Sequence, residues 1–404
     1  MGGWLFRFIH VSDTHLGVRP YGLIERERDF YDAFRWVIDK ALELRVDAVL
    51  HAGDMFHSSS PRPVTYVNVI RELRRLVEAG IKFIVAPGNH ELPKAEGIGS
   101  PIKLLEVLGY TRAPRDPVKP EVIEIGDTSI IVFSEWASEL VSKINPLSMV
   151  RSEYVVGLAH IALCDALAEA EGIPLEMCVS SRRITSSMVR GGYSYLALGD
   201  IHTPWYNRVP GAPPIVYPGS TEYLDVGEYK RNSNRYVYLV KLDNGVVEAE
   251  KLRIEVVRPW IIIEGGYSDV VKSIESIKRK AGKEPIVYVK VKDPLEQAKR
   301  RSIMSRLESL RREGIVLSYN LVVKGDGDLK QVTYTPQPMS MESLLEKLVE
   351  KCGDNTRKEI VVLLSTLLNN PNDRTVLSNL TKTLEERGDV VECISRVFGE
   401  GVTG

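Results

Sequence analysis

Five of the seven histidines in this chain stand just after apolar, strand-like runs or in the loops those runs feed. The central stretch is Val46 to His57, Val-Asp-Ala-Val-Leu-His-Ala-Gly-Asp-Met-Phe-His, in which a run rich in Val and Leu stops at Gly53 and Asp54 follows. Four other strand ends are alike: Asp13-Thr-His15 after Phe6 to Val11, Gly88-Asn-His90-Glu after Ile81 to Ala86, Ala159-His160 after Tyr154 to Leu158, and Gly199-Asp-Ile-His202 after Tyr193 to Leu198. One Gly-Asp is weak, because Asp is also a turn residue and a helix cap. The repetition is hard to explain by packing. Open α/β sheets place ligands at the carboxyl ends of their strands, and imidazole, carboxylate and amide donors there suit divalent ions that activate water for phosphoester hydrolysis. Asp54 is the candidate bridging ligand. Asp13 and His15, like Asp200 and His202, stand two apart and can face one side of an extended or loop segment, while Asn89 adds a neutral carbonyl oxygen.

Such ligands need sheets to hold them. Residues 4 to 253 alternate strand and helix patterns: strand to Val11, helix near Glu25 to Leu44, strand to Ala52, helix near Val64 to Ala79, strand to Ala86. Val122–Ile125 with Ser129–Ser134, and Arg235–Leu242 with Val246–Ile254, read as hairpins. The expected fold class is α/β, two packed sheets flanked by helices. One apolar stripe runs through Val67, Ile70, Leu73 and Leu76, and another, after a Leu92–Ser100 loop with Pro93, Gly97 and Gly99, through Ile102, Leu105 and Leu108. Stripes of this kind more often cover their own sheet than form a dimer face, which is the other reading. The 161–192 insert holds an Ala-rich helical piece, Cys164 to Glu171, and a polar run, Ser180 to Arg190, without an assignable role.

Past Pro259 the chain reads β-α-β-α-β through Trp260–Glu264, Asp269–Ala281, Ile286–Lys292, Pro294–Glu313 and Val316–Val323. Domains are expected at 1–253, 254–335 and 336–404. The blocks carry 29 basic and 32 acidic, 16 and 11, and 8 and 11 groups respectively. The middle block is thus the basic one, a mild hint of an anionic partner. Its clusters Lys278-Arg279-Lys280, Lys299-Arg300-Arg301 and Arg311-Arg312 are expected on helices, as solvated faces or phosphate contacts. Thr335 to Ser340 reads as a Pro-rich linker, followed by apolar helical stripes (Leu344 to Cys352, Ile360 to Leu368, Leu377 to Leu384) suited to a small bundle that also docks a partner. Cys164, Cys178, Cys352 and Cys393 form no Cys-x-x-Cys pair, so reduced, mostly structural thiols are expected. Without a leader pattern or a long apolar run, a cytoplasmic protein with no membrane span is expected.

The order Asp-x-His, Gly-Asp, Gly-Asn-His-Glu, His, Gly-x-x-His resembles the calcineurin-like metallophosphoesterase superfamily from residue 7 to about 254. Within it, Ser12-Asp-Thr-His-Leu-Gly17, Gly53-Asp-Met-Phe-His-Ser58 and the size of the chain resemble the Mre11/SbcD family of DNA repair nucleases. The resemblance implies a two-sheet metallophosphoesterase sandwich, a small α/β capping domain that helps bind DNA, and a C-terminal helical region that docks a coiled-coil ABC-type ATPase of the Rad50/SbcC class. It implies two divalent metal ions, with manganese expected: Asp13, His15, Asp54 and His202 on the first, and Asp54, Asn89, His160 and Asp200 on the second. His90 would stand beside the scissile phosphate, stabilising transition-state charge or protonating the leaving 3′ oxygen while a hydroxide attacks phosphorus in line. His57 matches a family histidine that orients the nucleic-acid strand.

Two positions depart from the family pattern. Asp200 stands where the family usually has His, and a shorter, anionic, harder ligand alters the geometry and makes the ion less Lewis-acidic. Glu91 stands where Asp is common and is expected to change only the loop's hydrogen bonding. The leading expectation is a manganese-dependent DNA exonuclease or endonuclease, homodimeric and working with the ATPase in double-strand break repair. One alternative is a phosphodiesterase or phosphatase on small substrates, although Met-Phe-His-Ser after Asp54 is not the Val-Asp-Arg-Gly run of protein phosphatases. The other, resting on Asp200, is a catalytically weakened paralogue that serves as a structural or DNA-binding partner of the ATPase.

Overall fold

A computed structural model describes residues 5–92, 99–175, 178, 184–189, 191–207, 213–279, 281–324 and 332–333. Strand β1 (Phe6–Val11) turns Phe6 and Phe8 to one face and Ile9 and Val11 to the other, and both sets are buried, as a strand inside a layered sandwich requires. Helix α1 (Ile24–Glu43) crosses to β2 (Ala48–His51), and α2 (Pro63–Glu78) crosses to β3 (Lys82–Val85). Both strand pairs are parallel. Next come α3 (Pro101–Val107), the antiparallel hairpin β4 (Glu121–Ile125) and β5 (Thr128–Val132), α4 (Leu140–Lys143), and β6 (Tyr154–His160). After them follow α5 (Cys164–Glu171), β7 (Tyr195–Gly199), β8 (Trp205–Asn207), β9 (Ile215–Tyr217), α6 (Val226–Arg231), and the hairpin β10 (Tyr236–Asp243) and β11 (Val246–Arg253).

One sheet has the order β11-β10-β1-β2-β3 and the other β4-β5-β6-β7-β9-β8. Between them pack Phe8, Leu50, Ile84 and Val240 against Ile130, Val156, Leu158 and Ala197. The outer face of the first sheet takes Phe34 and Val37 of α1, Leu73 and Leu76 of α2, and Ile102 and Leu105 of α3. Ile70, Leu73 and Leu76 of one stripe and Ile102 and Leu105 of the other therefore cover their own sheet, while Val67 and Leu108 at the stripe ends stay exposed with Val64, Leu104 and Val107. Each fully buried Leu, Ile or Phe contributes roughly 1.5–3 kcal/mol, so the strand ends are held by packing on both faces. Register brings Val11, His51 and Val85 level in one sheet and His160 level with Gly199 in the other. The loops that follow leave the sandwich on its carboxyl edge.

A smaller sheet follows: β12 (Trp260–Gly265), α7 (Tyr267–Glu275), β13 (Ile286–Val291), α8 (Gln297–Arg312), β14 (Ser318–Val323) and β15 (Val332–Thr333), in the order β12-β13-β14-β15. Helix α7 stops before the first basic cluster, so Lys278 and Arg279 are not on a helix as expected. Lys299 to Arg301 and Arg311-Arg312 do lie on α8. Buried ion pairs join this sheet to the sandwich. Arg258, just before β12, donates to Asp29 of α1 at 2.6 and 3.0 Å, and Arg26 donates to the same carboxylate at 2.6 Å.

The expectation of reduced thiols is corrected at one pair, since Cys164 and Cys178 form a disulfide with Cα atoms 5.7 Å apart. Gly172 ends α5 in the left-handed region and lets the chain turn back toward the helix start, a return that cysteine spacing does not encode. Ser186 N, donating to Asp165 at 2.9 Å, ties the far side of the same insert. Pro93 and Gly97, much of the Ser180–Arg190 run, Lys280, the linker from Thr335 and the helical stripes with Cys352 and Cys393 lie outside the described residues. Among the described residues no helix is long and apolar enough to cross a membrane.

Candidate metal centre

Four ligand candidates have left-handed backbone: Asp13 (φ 51), His15 (φ 41), Asp54 (φ 52) and Asp200 (φ 92). Such conformations cost about 1–3 kcal/mol each and persist only where the surroundings dictate them. Here the loops after β1 and β2 are laced together, Asp13 N to Gly53 O at 3.0 Å, His15 N to Asp54 O at 3.0 Å and Leu16 N to Met55 O at 2.8 Å. Close approach also demands glycine at two positions. A Cβ on Gly53 (φ +87) would meet His160 Nδ1 at 2.4 Å, and one on Gly199 would meet Ala52 O at 2.0 Å.

Asp54 lies at the centre. Its Oδ1 is 3.5 Å from His160 Nε2, and its Oδ2 is 3.9 Å from His15 Nε2 and 3.8 Å from His90 Nε2. On one side, His202 Nε2 is 3.1 Å from His15 Nε2 and 3.7 Å from Asp13 Oδ1. On the other, His160 Nε2 has Asn89 Oδ1 at 3.3 Å and Asp200 Oδ1 at 3.6 Å. Ligands bound to one ion at about 2.1 Å stand about 3.0 to 3.4 Å from their neighbours. The two clusters are close to that spacing, and their imidazole and oxygen donors fit divalent cations.

Hydrogen bonds at the far ring nitrogens aim the imidazoles. His160 Nδ1 donates to Ala52 O at 2.9 Å and His90 Nδ1 to His57 O at 2.8 Å, which leaves each Nε2 facing Asp54. His57 is half-buried, its Nδ1 3.4 Å from His15 Nδ1. Glu91 accepts from Phe56 N at 2.6 Å and Gly88 N at 2.7 Å, tying the Asn89-His90 loop to the loop of Asp54. His10 and His51 take no part. His10 meets Tyr195 Oη at 3.1 Å and His51 meets Thr14 Oγ1 at 3.0 Å, and burial pushes both down to about 3.

The electrostatics favour positive charge. Burial alone would depress His160 and His202, but Asp54 pulls His160 well above its ordinary value, and Glu228 with Asp13 brings His202 up to about 9. Asp54 is held low despite burial by His160, His15 and His90, whereas burial raises Asp13 to about 6. His15, buried among other imidazoles, falls well below the ordinary value and stays a neutral donor. One contributor carried no signal in the sequence. Glu228, on α6, stands 2.7 Å from His202 Nδ1, yet belongs to no spaced motif.

The fold and the donor cluster are similar to those of a calcineurin-like phosphoesterase, and the family of that description matches residues 6–166. Among curated proteins, the DNA double-strand break repair protein Mre11 of Sulfurisphaera tokodaii is 32% identical over 63% of this chain and 65% of its own length. The protein of that name from Saccharolobus solfataricus is 26% identical over 94% of this chain and 98% of its own. That of Methanocaldococcus jannaschii is 30% identical over 70% of this chain and 76% of its own. With that likeness across three quarters of a relative, the chain belongs to the Mre11 family.

Proposed function

We propose that this chain is a metal-dependent nuclease that hydrolyses DNA phosphodiesters in double-strand break repair. The observation that carries the reading is the division of Asp54: one oxygen faces His160, with Asn89 and Asp200 beyond it, and the other faces His15 and His90. Asp13, His15, Asp54 and His202 would hold one ion, and Asp54, Asn89, His160 and Asp200 a second, with manganese the expected metal. Two such ions, when bound, polarise the phosphodiester and make hydroxide available near neutral pH. His90, anchored at Nδ1 with its Nε2 on the side of Asp54, is placed to touch the phosphate or to pass a proton to the leaving oxygen. His57, beside it, guides the strand. The Asp200 carboxylate, 3.6 Å from His160 Nε2, supports a working second site in place of the family's usual imidazole.

The rest of the reading extends from the family. Residues 1–253 form the catalytic core, 254–335 a capping domain for DNA, and 336–404 a linker and docking region for a Rad50-type coiled-coil ATPase. The exposed Val64, Val67, Leu104, Val107 and Leu108 support a homodimer. A cytoplasmic place belongs to the same reading. The test is cleavage of end-labelled duplex and single-stranded DNA with manganese, on protein whose bound metal has been counted, beside His90→Ala. Cleavage that requires His90 with two ions per chain is expected. Intact DNA with one ion bound would instead favour the structural partner of the ATPase, and faster turnover of bis-p-nitrophenyl phosphate than of any DNA would favour the small-substrate enzyme.

A further inference from the structure

We propose that Glu228 is a positioning residue for the metal centre, fixing His202 in the tautomer that turns a bare Nε2 toward Asp13 and His15. The inference rests on the metal-centre reading above. Glu228 is buried, and its two oxygens have separate tasks. Oε1 stands 2.7 Å from His202 Nδ1. Oε2 accepts from Arg235 Nη2 at 2.8 Å and Leu224 N at 3.2 Å, with Ser220 Oγ a further neighbour at 3.1 Å. An ionised carboxylate has no donor, so the proton in the Oε1 contact belongs to His202 Nδ1. When the ring gives up its Nε2 proton to bind an ion, the proton held at Nδ1 leaves the lone pair on Nε2, the atom 3.1 Å from His15 Nε2 and 3.7 Å from Asp13 Oδ1. Donation to a carboxylate also makes the opposite nitrogen a more basic ligand.

The carboxylate is not free to swing. Asp225 caps α6 by accepting from Glu228 N at 3.0 Å, and on the next residue Tyr229 Oη donates to Trp260 O at 3.3 Å. Arg235 holds both partners at once, since its Nη1 donates to His202 O at 2.7 Å while its Nη2 holds Glu228. His202 N in turn donates to Glu171 Oε1 at 3.1 Å. Backbone and ring of this one ligand are therefore set by groups outside the ligand cluster.

The geometry makes Glu228→Gln a sharp probe. Arg235 and Leu224 N are both donors, so they keep the amide oxygen at the Oε2 position and turn the amide NH2 toward His202. Nδ1 must then accept, and the ring proton moves to Nε2, where a ligand lone pair is needed. Titration of the metal-free full chain with Mn2+ by calorimetry, beside thermal melting of the metal-free protein, tests this. In Glu228→Gln one of two sites is expected to weaken about 10–100-fold and the other to keep its affinity, while the metal-free Tm falls because the buried Arg235 loses its charge partner. Should that variant not fold, Glu228→Asp retains the charge for Arg235 while withdrawing from His202, and loss at the same single site is expected. Unchanged affinity at both sites, equal weakening of both, or failure of both variants to fold would overturn the role of Glu228. Absence of Mn2+ binding by the wild type is a different result, and it would overturn the metal-centre reading itself.

Discussion

His90 and Gly53 separate chemistry from construction at the level of single residues. The His90 ring stands 3.8 Å from Asp54 and is held by the His57 carbonyl, while its backbone N donates to Asp54 Oδ1 at 3.0 Å, a bond that a side-chain substitution keeps, so loss of the ring leaves the donor cluster standing. His90→Asn is expected to lower DNA turnover by roughly 10²–10⁴-fold with Mn2+ binding retained, a split that single-turnover kinetics and calorimetry measure together. Gly53→Ala acts differently. The added methyl meets the His160 ring and the backbone sits at φ +87, so Mn2+ affinity, activity and Tm should all fall. A Gly53→Ala protein with native metal affinity would show that the loop relaxes freely.

Between residue and fold lies the insert with α5. Its helix begins at a disulfide and ends at Glu171, which accepts from His202 N, and Glu169 accepts from Trp205 Nε1 at 2.8 Å. A cross-link closing a loop of this length limits the unfolded chain and stabilises by about 3 kcal/mol. Cys178→Ser should therefore lower the free energy of unfolding by about that amount, read from urea denaturation. Treatment of the wild type with a dithiol should reproduce the loss, and leave Cys178→Ser unchanged.

For the whole molecule, the joint between the sandwich and the smaller sheet rests on a buried carboxylate. Burial would raise Asp29, but Arg258, Arg26 and Lys283 hold it below the ordinary carboxylate value. A depressed folded value means stability that is fully present above the unfolded value near 3.8 and is lost as pH falls through the lower, folded value. Denaturation at neutral pH should show Asp29→Ala less stable by about 3–5 kcal/mol, because two guanidiniums lose their buried partner. The gap to wild type should narrow only in strong acid. A constant gap from pH 7 to pH 2 would assign the loss to packing.

Much of this was legible in the chain itself, because local patterns carry it. Apolar runs ending in Gly-Asp, Asn-His or His marked the strands and the candidate ligands, and the hairpins at 122–134 and 235–254 followed from alternation and turn residues. Such features depend on neighbours in sequence. The disulfide, the stop of α7 before Lys278, the exposure of Val67 and Leu108 at the ends of stripes that otherwise cover their own sheet, and the Glu228–His202 contact depend on which segments return to meet. Glu228 has an acidic side chain like dozens of others in the chain. Only the packing of α6 beside the loop after β7 brings it within 2.7 Å of an imidazole, and the left-handed turns at Asp13, His15, Asp54 and Asp200 exist because two loops laced by backbone hydrogen bonds stabilise them.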